Sequence, residues 1–170
     1  IELAAARIRV LTVDQIIEKI NDRFNILTSG SRAALPHQQT LRTLIDWSYD
    51  LLSEDEKQLL QRLSVFSGGW TLEAAEEVCS DEMLKPSGIL DLLINLSDKS
   101  LVNSSESGVV SRFSLLETIR HYAGEKLSDQ RKFHNNHYNY YLKLCTEKAG
   151  DKSFDSLLRL RRIKTEFENI

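Results

Sequence analysis

The sequence predicts a mainly α-helical fold carrying one short β-hairpin, on three observations. Between Leu35 and Ala75 two helix signals follow one another with their punctuation. Between Leu101 and Leu115 two short strand patterns flank the polar stretch Ser104 to Gly108. Both ends of the chain keep the 3.6-residue apolar spacing of amphipathic helices. With 170 residues, 41% of them apolar, the chain can bury a core as one domain or as two small ones.

Taken in order, the opening IELAAARIRVL is apolar on nearly every side, which suits a helix packed closely among others. Ile1 falls inside that pattern, so the chain is expected to continue N-terminally. Thr12 and Gln15 form a capping box, and Ile16, Ile17, Ile20 and Phe24 then predict a helix from about Val13 to Phe24. Arg23 lies near its C-terminus, where a cation complements the helix dipole. Thr28 to Ala34 reads as a loop, and Pro36 drives Leu35 out of helical geometry. This is the first expected boundary.

Leu41, Leu44, Ile45, Ser48, Leu51 and Leu52 share one face of the next helix. Ser53 and Glu56 form a capping box for the one after it, which carries Leu59, Leu60, Leu63 and Phe66 and stops at Gly68 and Gly69. Thr71 caps a third, over Leu72 to Cys79, with Leu72, Ala75 and Val78 inward. Beyond Pro86 and Gly88, the residues Ile89, Leu90, Leu93, Ile94 and Leu96 mark the inner face of the second helix of a helix-turn-helix. Leu101 to Asn103 and Val109 to Leu115 form a two-stranded wing, and Ile119, Tyr122, Ala123 and Leu127 a closing helix. Residues 35–127 therefore read as a winged helix. Residues 1–34 precede it as a helical part, and residues 128–170 hold two more amphipathic helices separated by Gly150 to Ser153. Paired helices of that kind suggest the start of a TPR-like repeat array.

The net charge of -3 hides an uneven distribution. Residues 40–127 carry eight basic and fifteen acidic side chains, whereas a DNA-reading module ordinarily has the opposite sign there. No apolar run approaches the roughly 18 to 20 residues that span a bilayer, and the first residues do not read as a signal peptide. Cys79 and Cys145 stand far apart without a CxxC partner, so a reducing cytoplasm without a disulfide is expected. His37, His121, His134 and His137 invite a metal reading, and His134 with His137 are spaced i, i+3. No acid or thiol ligand lies within a turn of that pair, so no metal site is expected. Trp47, Trp70 and Phe66 read as an aromatic part of the core.

Four phrases in fixed order, IELAAARIRVL, DRFNILTSGSRAALPHQQTLRTLIDWSYDLLSEDEKQLLQRLSVFSGGWTLEAAEEVC, ILDLLINLSDKSLV and RFSLLETIRHYAGEKL, closely resemble STAND-class signal-transduction NTPases. The nearest likeness is to their bacterial branch of predicted ATPases and transcriptional regulators, in which a P-loop ATPase module precedes a winged helix and helical repeats. The resemblance implies that residues 1–34 end the helical lid of the ATPase and that TEFENI leads into the repeats. It also implies ATP or ADP with magnesium in the parent protein. This chain has no Gly-x-x-x-x-Gly-Lys-Ser/Thr phosphate cradle, so it is expected to bind no cofactor and to catalyse nothing alone.

Related NB-ARC regulators end the wing with a Met-His-Asp motif whose histidine senses the nucleotide phosphate. Leu115, Leu116 and Glu117 stand at that place here, so Leu116 supplies no donor. The resemblance makes Leu116, Glu117 and Arg120 the nucleotide-sensing position, with Glu117 and Arg120 as partners of the ATPase module, against a reading of Leu115 and Leu116 as core and Glu117 as a helix N-terminal carboxylate. The presumed recognition helix carries Asp91, Asp98 and Lys99, and is read as lacking the arginines, lysines and amides that reach base edges. Lys99, Arg112 and the basic run Arg159, Arg161 and Arg162 are the positions for a DNA or partner contact, the run otherwise being a solvated helix face.

The expected function is the regulatory region of a STAND-type ATPase. Its winged helix would pack on the protein's own ATPase module, and on other protomers, in a nucleotide-dependent switch. The alternative is a DNA-binding winged helix of a transcription regulator.

Overall fold

A computed structural model of the chain describes residues 36–107, 110–146 and 163–169. The helices predicted before Pro36, the break at Gly150 to Ser153 and the side chains of Arg159, Arg161 and Arg162 lie outside the described residues. Helix α1 spans Pro36–Asp50 and α2 spans Glu54–Leu63. Strand β1, Trp70–Thr71, runs into α3, Leu72–Cys79, and α4 covers Pro86–Asp98. Strands β2, Asn103–Ser107, and β3, Val110–Ser114, form the wing, followed by α5, Glu117–Glu125, and α6, Gln130–Thr146. No helix among the described residues is long and apolar enough to cross a membrane.

The predicted capping box at the start of α2 is formed on both sides: the Ser53 N–H donates to Glu56 at 2.8 Å and the Glu56 N–H to Ser53 Oγ at 3.3 Å. Glu56 is itself buried, and Lys99 at the end of α4 donates to both its carboxylate oxygens at 2.5 Å. Burial works to raise the Glu56 pKa. Lys99 and the Ser53 amide outweigh it and hold the group below its ordinary value. One carboxylate thus closes the first turn of α2 and anchors the last turn of α4.

Leu59, Leu60, Leu63 and Phe66 are fully buried and meet Val78 of α3, Ile89, Leu93 and Leu96 of α4 and Ile119 of α5 in one core. Phe66 stacks on Trp70 at 5.2 Å between ring centroids and meets the ring edges of His137 and Tyr141 on α6. Trp47, expected with this group, is buried outside that cluster. Helix α1 joins the core through Ile45 and Tyr49 and ties to α5 by polar contacts: Tyr122 Oη donates to Asp46 at 2.5 Å, and Arg42 pairs with Glu125 at 2.6 Å. Its buried face is shifted from the predicted one, with Thr43, Trp47 and Tyr49 buried beside Ile45 and Ser48. Leu41 is exposed, and so is Leu51, which stands past the helix end where helical periodicity no longer applies.

The sheet has the order β1-β3-β2 and is antiparallel throughout. Sequence reading misses β1, because two residues are too few to display alternation. It is made by pairing Trp70 with Phe113 and Thr71 with Arg112. The wing is also displaced from its expected place: Leu101 and Val102 are buried before the strand, and β2 runs through most of the predicted turn. Asn103, Ser104 and Ser105 have poor strand propensity and face solvent, but backbone pairing to Ser114, Phe113 and Arg112 holds them extended.

The end of α4 explains that displacement. Ser100 adopts φ 57°, the Leu101 N–H donates to Leu96 O at 3.0 Å and the Ser100 N–H to Ser97 O at 2.8 Å. This is a Schellman ending with serine in the left-handed position that glycine usually fills. It turns the chain so that Leu101 and Val102 enter the core rather than the sheet.

A buried arginine organises the helix-turn-helix. Arg62 of α2 donates to Cys79 O at 2.7 Å and, through two nitrogens, to the Asp81 carboxylate at 3.0 and 2.9 Å. Asp81 in turn accepts the Met83 and Leu84 N–H groups and Lys132 of α6. Burial works against ionisation of Asp81. The Leu84 N–H, Lys132, Arg62 and the Met83 N–H overcome it and hold the carboxyl far below the usual range.

Asp81→Asn should destabilise the fold by about 3 kcal/mol in urea titration, because it leaves the Arg62 charge buried and poorly paired. The folded-state pKa of Asp81 lies below the unfolded value of about 4, so its stabilisation is present above pH 4 and lost as the pH falls further. The wild type should therefore weaken more steeply than the variant below pH 4. Ser100→Gly should instead raise the urea midpoint, by about 0.5–1 kcal/mol of stability, since it relieves the left-handed conformation of an L-residue.

Candidate functional site

Helix α4 is the second helix of the helix-turn-helix and the element a winged helix offers to its target. Pro86 at its first turn supplies a preset φ where no intrahelical donor is needed. Ile89, Leu93 and Leu96 point into the core. Leu90 and Ile94, expected on that inner face, are instead 42% and 48% exposed. Three inward positions suffice to cover α2 and α3 over thirteen residues, and the extra apolar pair turns outward. The outer face therefore presents Ser87, Leu90, Asp91, Ile94, Asn95 and Asp98.

Asn95 corrects the reading that this helix lacks an amide: it is exposed, one position beyond Ile94, with a side chain that can both donate and accept. Lys85, the N-cap residue, is exposed as well. The described wing adds Asn103, Ser104, Ser105 and Ser111, all exposed and uncharged.

Among the described residues, the cations singled out from sequence, Lys99, Arg112 and Arg120, are engaged within the fold. Lys99 is bound to Glu56. Arg112 on β3 pairs with Glu166, and its Nη2 donates to Gly69 O. Arg120 pairs with Glu117 at 2.6 Å and reaches Ser64 O at 3.4 Å. Leu116 is the N-cap residue of α5 and is exposed, so it does not join the core, whereas Leu115 packs against it. Glu117 opens α5 as the carboxylate of its first turn. Leu116, Glu117 and Arg120 thus lie together at one helix start, while Lys99 and Arg112 belong to separate ion pairs.

The histidines do not converge. His137 is half-buried against Phe66 and Tyr141, with ring centroids 5.1 and 4.7 Å away, and desolvation lowers its pKa. His134 is exposed and, with His121 and Arg120, lines a shallow groove of about 290 Å³ between α5 and α6. Among the described residues no group of three or more His, Cys, Asp or Glu could hold a metal ion. Neither Cys79 nor Cys145 forms a disulfide, and burial pushes the Cys79 pKa upward.

Sequence reasoning passed over Glu166 and Asn169. Both are buried, and they join Arg112, Tyr141 and the Ser67–Gly69 loop in one hydrogen-bonded network. Their i, i+3 spacing within an otherwise exposed segment was the available signal.

Residues 52–128 match the family model of a winged helix-turn-helix domain. Along its whole length the chain is 40% identical to a protein of Mycobacterium tuberculosis and to one of Mycobacterium bovis, each provisionally named an HTH-type transcriptional regulator. It spans about a fifth, 20%, of the length of these relatives. A further protein of Mycobacterium tuberculosis, uncharacterized, is 38% identical over 130 residues, covering 76% of this chain and 33% of the relative. The sheet order β1-β3-β2 and the α3–α4 pair give residues 52–128, the stretch that matches this model, the architecture of a winged helix.

Proposed function

We propose that this chain is the winged-helix part of a transcription regulator and that it contacts DNA through α4 and the wing. The observation that carries this reading is its 40% identity, over its full length, to proteins provisionally named HTH-type transcriptional regulators. The outer face of α4 has chemistry for base edges. The Asn95 amide suits the paired donor and acceptor of adenine, Asp91 the exocyclic amine of cytosine, and Leu90 the methyl group of thymine. Its supply of phosphate contacts is poor. Lys85 is exposed at the helix start, while Asp91 and Asp98 repel the backbone. In this reading α4 reads bases, and much of the phosphate attraction comes from elsewhere in the protein, with the basic run at Arg159, Arg161 and Arg162 as one source.

A second reading is favoured by Leu90 and Ile94, which form an exposed apolar pair beside Asp91 and Asp98. Such a face suits a protein surface better than a polyanion. The winged helix would then press on a neighbouring module of the same protein, an ATPase in the family this sequence resembles, with Leu116, Glu117 and Arg120 at the contact and ATP or ADP with magnesium held by that module.

Fluorescence anisotropy of labelled duplex DNA, titrated with this chain at low and at moderate salt, separates the two. The DNA reading expects binding at low salt whose logarithmic salt slope corresponds to about one to three phosphates. It also expects Asn95→Ala to weaken a selected site by about tenfold. Absence of binding at low salt, where phosphate attraction is strongest, would reject it in favour of the protein-contact reading.

A further inference from the structure

Residues 163–169 form one helical turn, 163–165, followed by a tight turn that returns to the winged helix. Their burial inverts the usual order. Phe167 is 78% exposed, while Glu166 and Asn169 are 4% and 7% exposed. Apolar burial therefore does not hold this segment in place; polar recognition does.

The recognition is complete on both sides. The Glu166 carboxylate accepts from Arg112, from Tyr141 Oη at 3.1 Å and from Asn169 Nδ2 at 3.0 Å. Asn169 Oδ1 accepts the N–H groups of Ser67 and Gly68 at 3.0 and 3.1 Å, and its Nδ2 donates to Gly69 O at 2.9 Å. The glycine loop is shaped for the incoming turn: a Cβ on Gly68 would lie 2.6 Å from the Glu168 carboxylate and 2.9 Å from Glu168 Cβ. A side chain at position 68 would push the segment away.

We propose that Ser67–Gly69, Arg112 and Tyr141 form a receptor for the chain's own Glu-x-x-Asn turn, and that this turn is a releasable clasp coupling the C-terminal segment beyond α6 to the central strand of the sheet. Its contacts make it releasable: they exchange with water on opening, and among the described residues of the segment no apolar side chain is buried more deeply than the half-buried Ile163. Release would uncover a guanidinium, a phenol and two backbone donors on β3 and the loop after α2. The clasp lies apart from the outer face of α4 and acts whatever that face contacts.

The test uses the full chain carrying Glu166→Ala and Asn169→Ala, which disables the turn and leaves its receptor intact. A fluorescent peptide of residues 163–170 should bind this double variant at least tenfold more tightly than it binds wild type, where the receptor is occupied. Adding Arg112→Met should abolish that binding. Equal binding to both chains, or none to the folded variant, would overturn the receptor. Should the variant fail to fold, native-state hydrogen exchange of the wild type decides. The Ser67 and Gly68 amides should exchange at least a hundredfold faster than that of Leu60, because the clasp opens without global unfolding. Exchange at the rate of Leu60 would make the segment an integral part of the fold and end the proposal.

Discussion

The winged helix depends on one buried guanidinium. Arg62 lies beneath the turn of the helix-turn-helix, satisfies the last carbonyl of α3 at Cys79, pairs with Asp81 in the turn, and sits 4.7 Å above the ring of Phe133 on α6. A charge taken this far out of water is tolerated only when paired and hydrogen-bonded on nearly every nitrogen. The arrangement meets that condition only with α2, the α3–α4 turn and α6 all in place. The angle at which α4 leaves the turn, and hence the face it turns outward, follows from this constraint.

Glu56 does the same at the far end of α4, where Lys99 closes on it. Helix α4 is therefore held at its entry through Asp81 and at its exit through Lys99. These commitments use up cations that a DNA-binding winged helix would place at its surface. The outer face of α4 is left with amide, hydroxyl, carboxylate and apolar groups. Such a face can discriminate among bases or partner side chains, and it contributes little long-range attraction of its own.

Position on the sheet separates Arg112 from these pairs. Phe113 turns toward the core, so Arg112, its neighbour on β3, turns to the opposite face and meets the returning segment 163–169. The core side of the sheet is held by apolar burial and the outer side by directional polar contacts. The two faces consequently respond to different conditions: salt and competing anions act on the outer one, and urea acts on both.

Local order was legible in the sequence wherever the signal is itself local. The capping box at Ser53 and Glu56, the cap at Thr71, the span Leu72–Cys79 and the inward residues Ile89, Leu93 and Leu96 all follow from spacing and hydrogen-bond chemistry within a few residues. Tertiary structure decided the rest, because the determining contacts are remote in sequence. Strand β1 exists only through β3, and β2 is extended despite its serines because its partner is. Leu90 and Ile94 face solvent because α2 and α3 had already been covered. Periodicity says that a residue is apolar, but whether another element reaches it is settled by packing. For the same reason the charges of Lys99 and Arg112 could be counted from the sequence, while their partners Glu56 and Glu166, 43 and 54 residues away, emerged only from the folded chain.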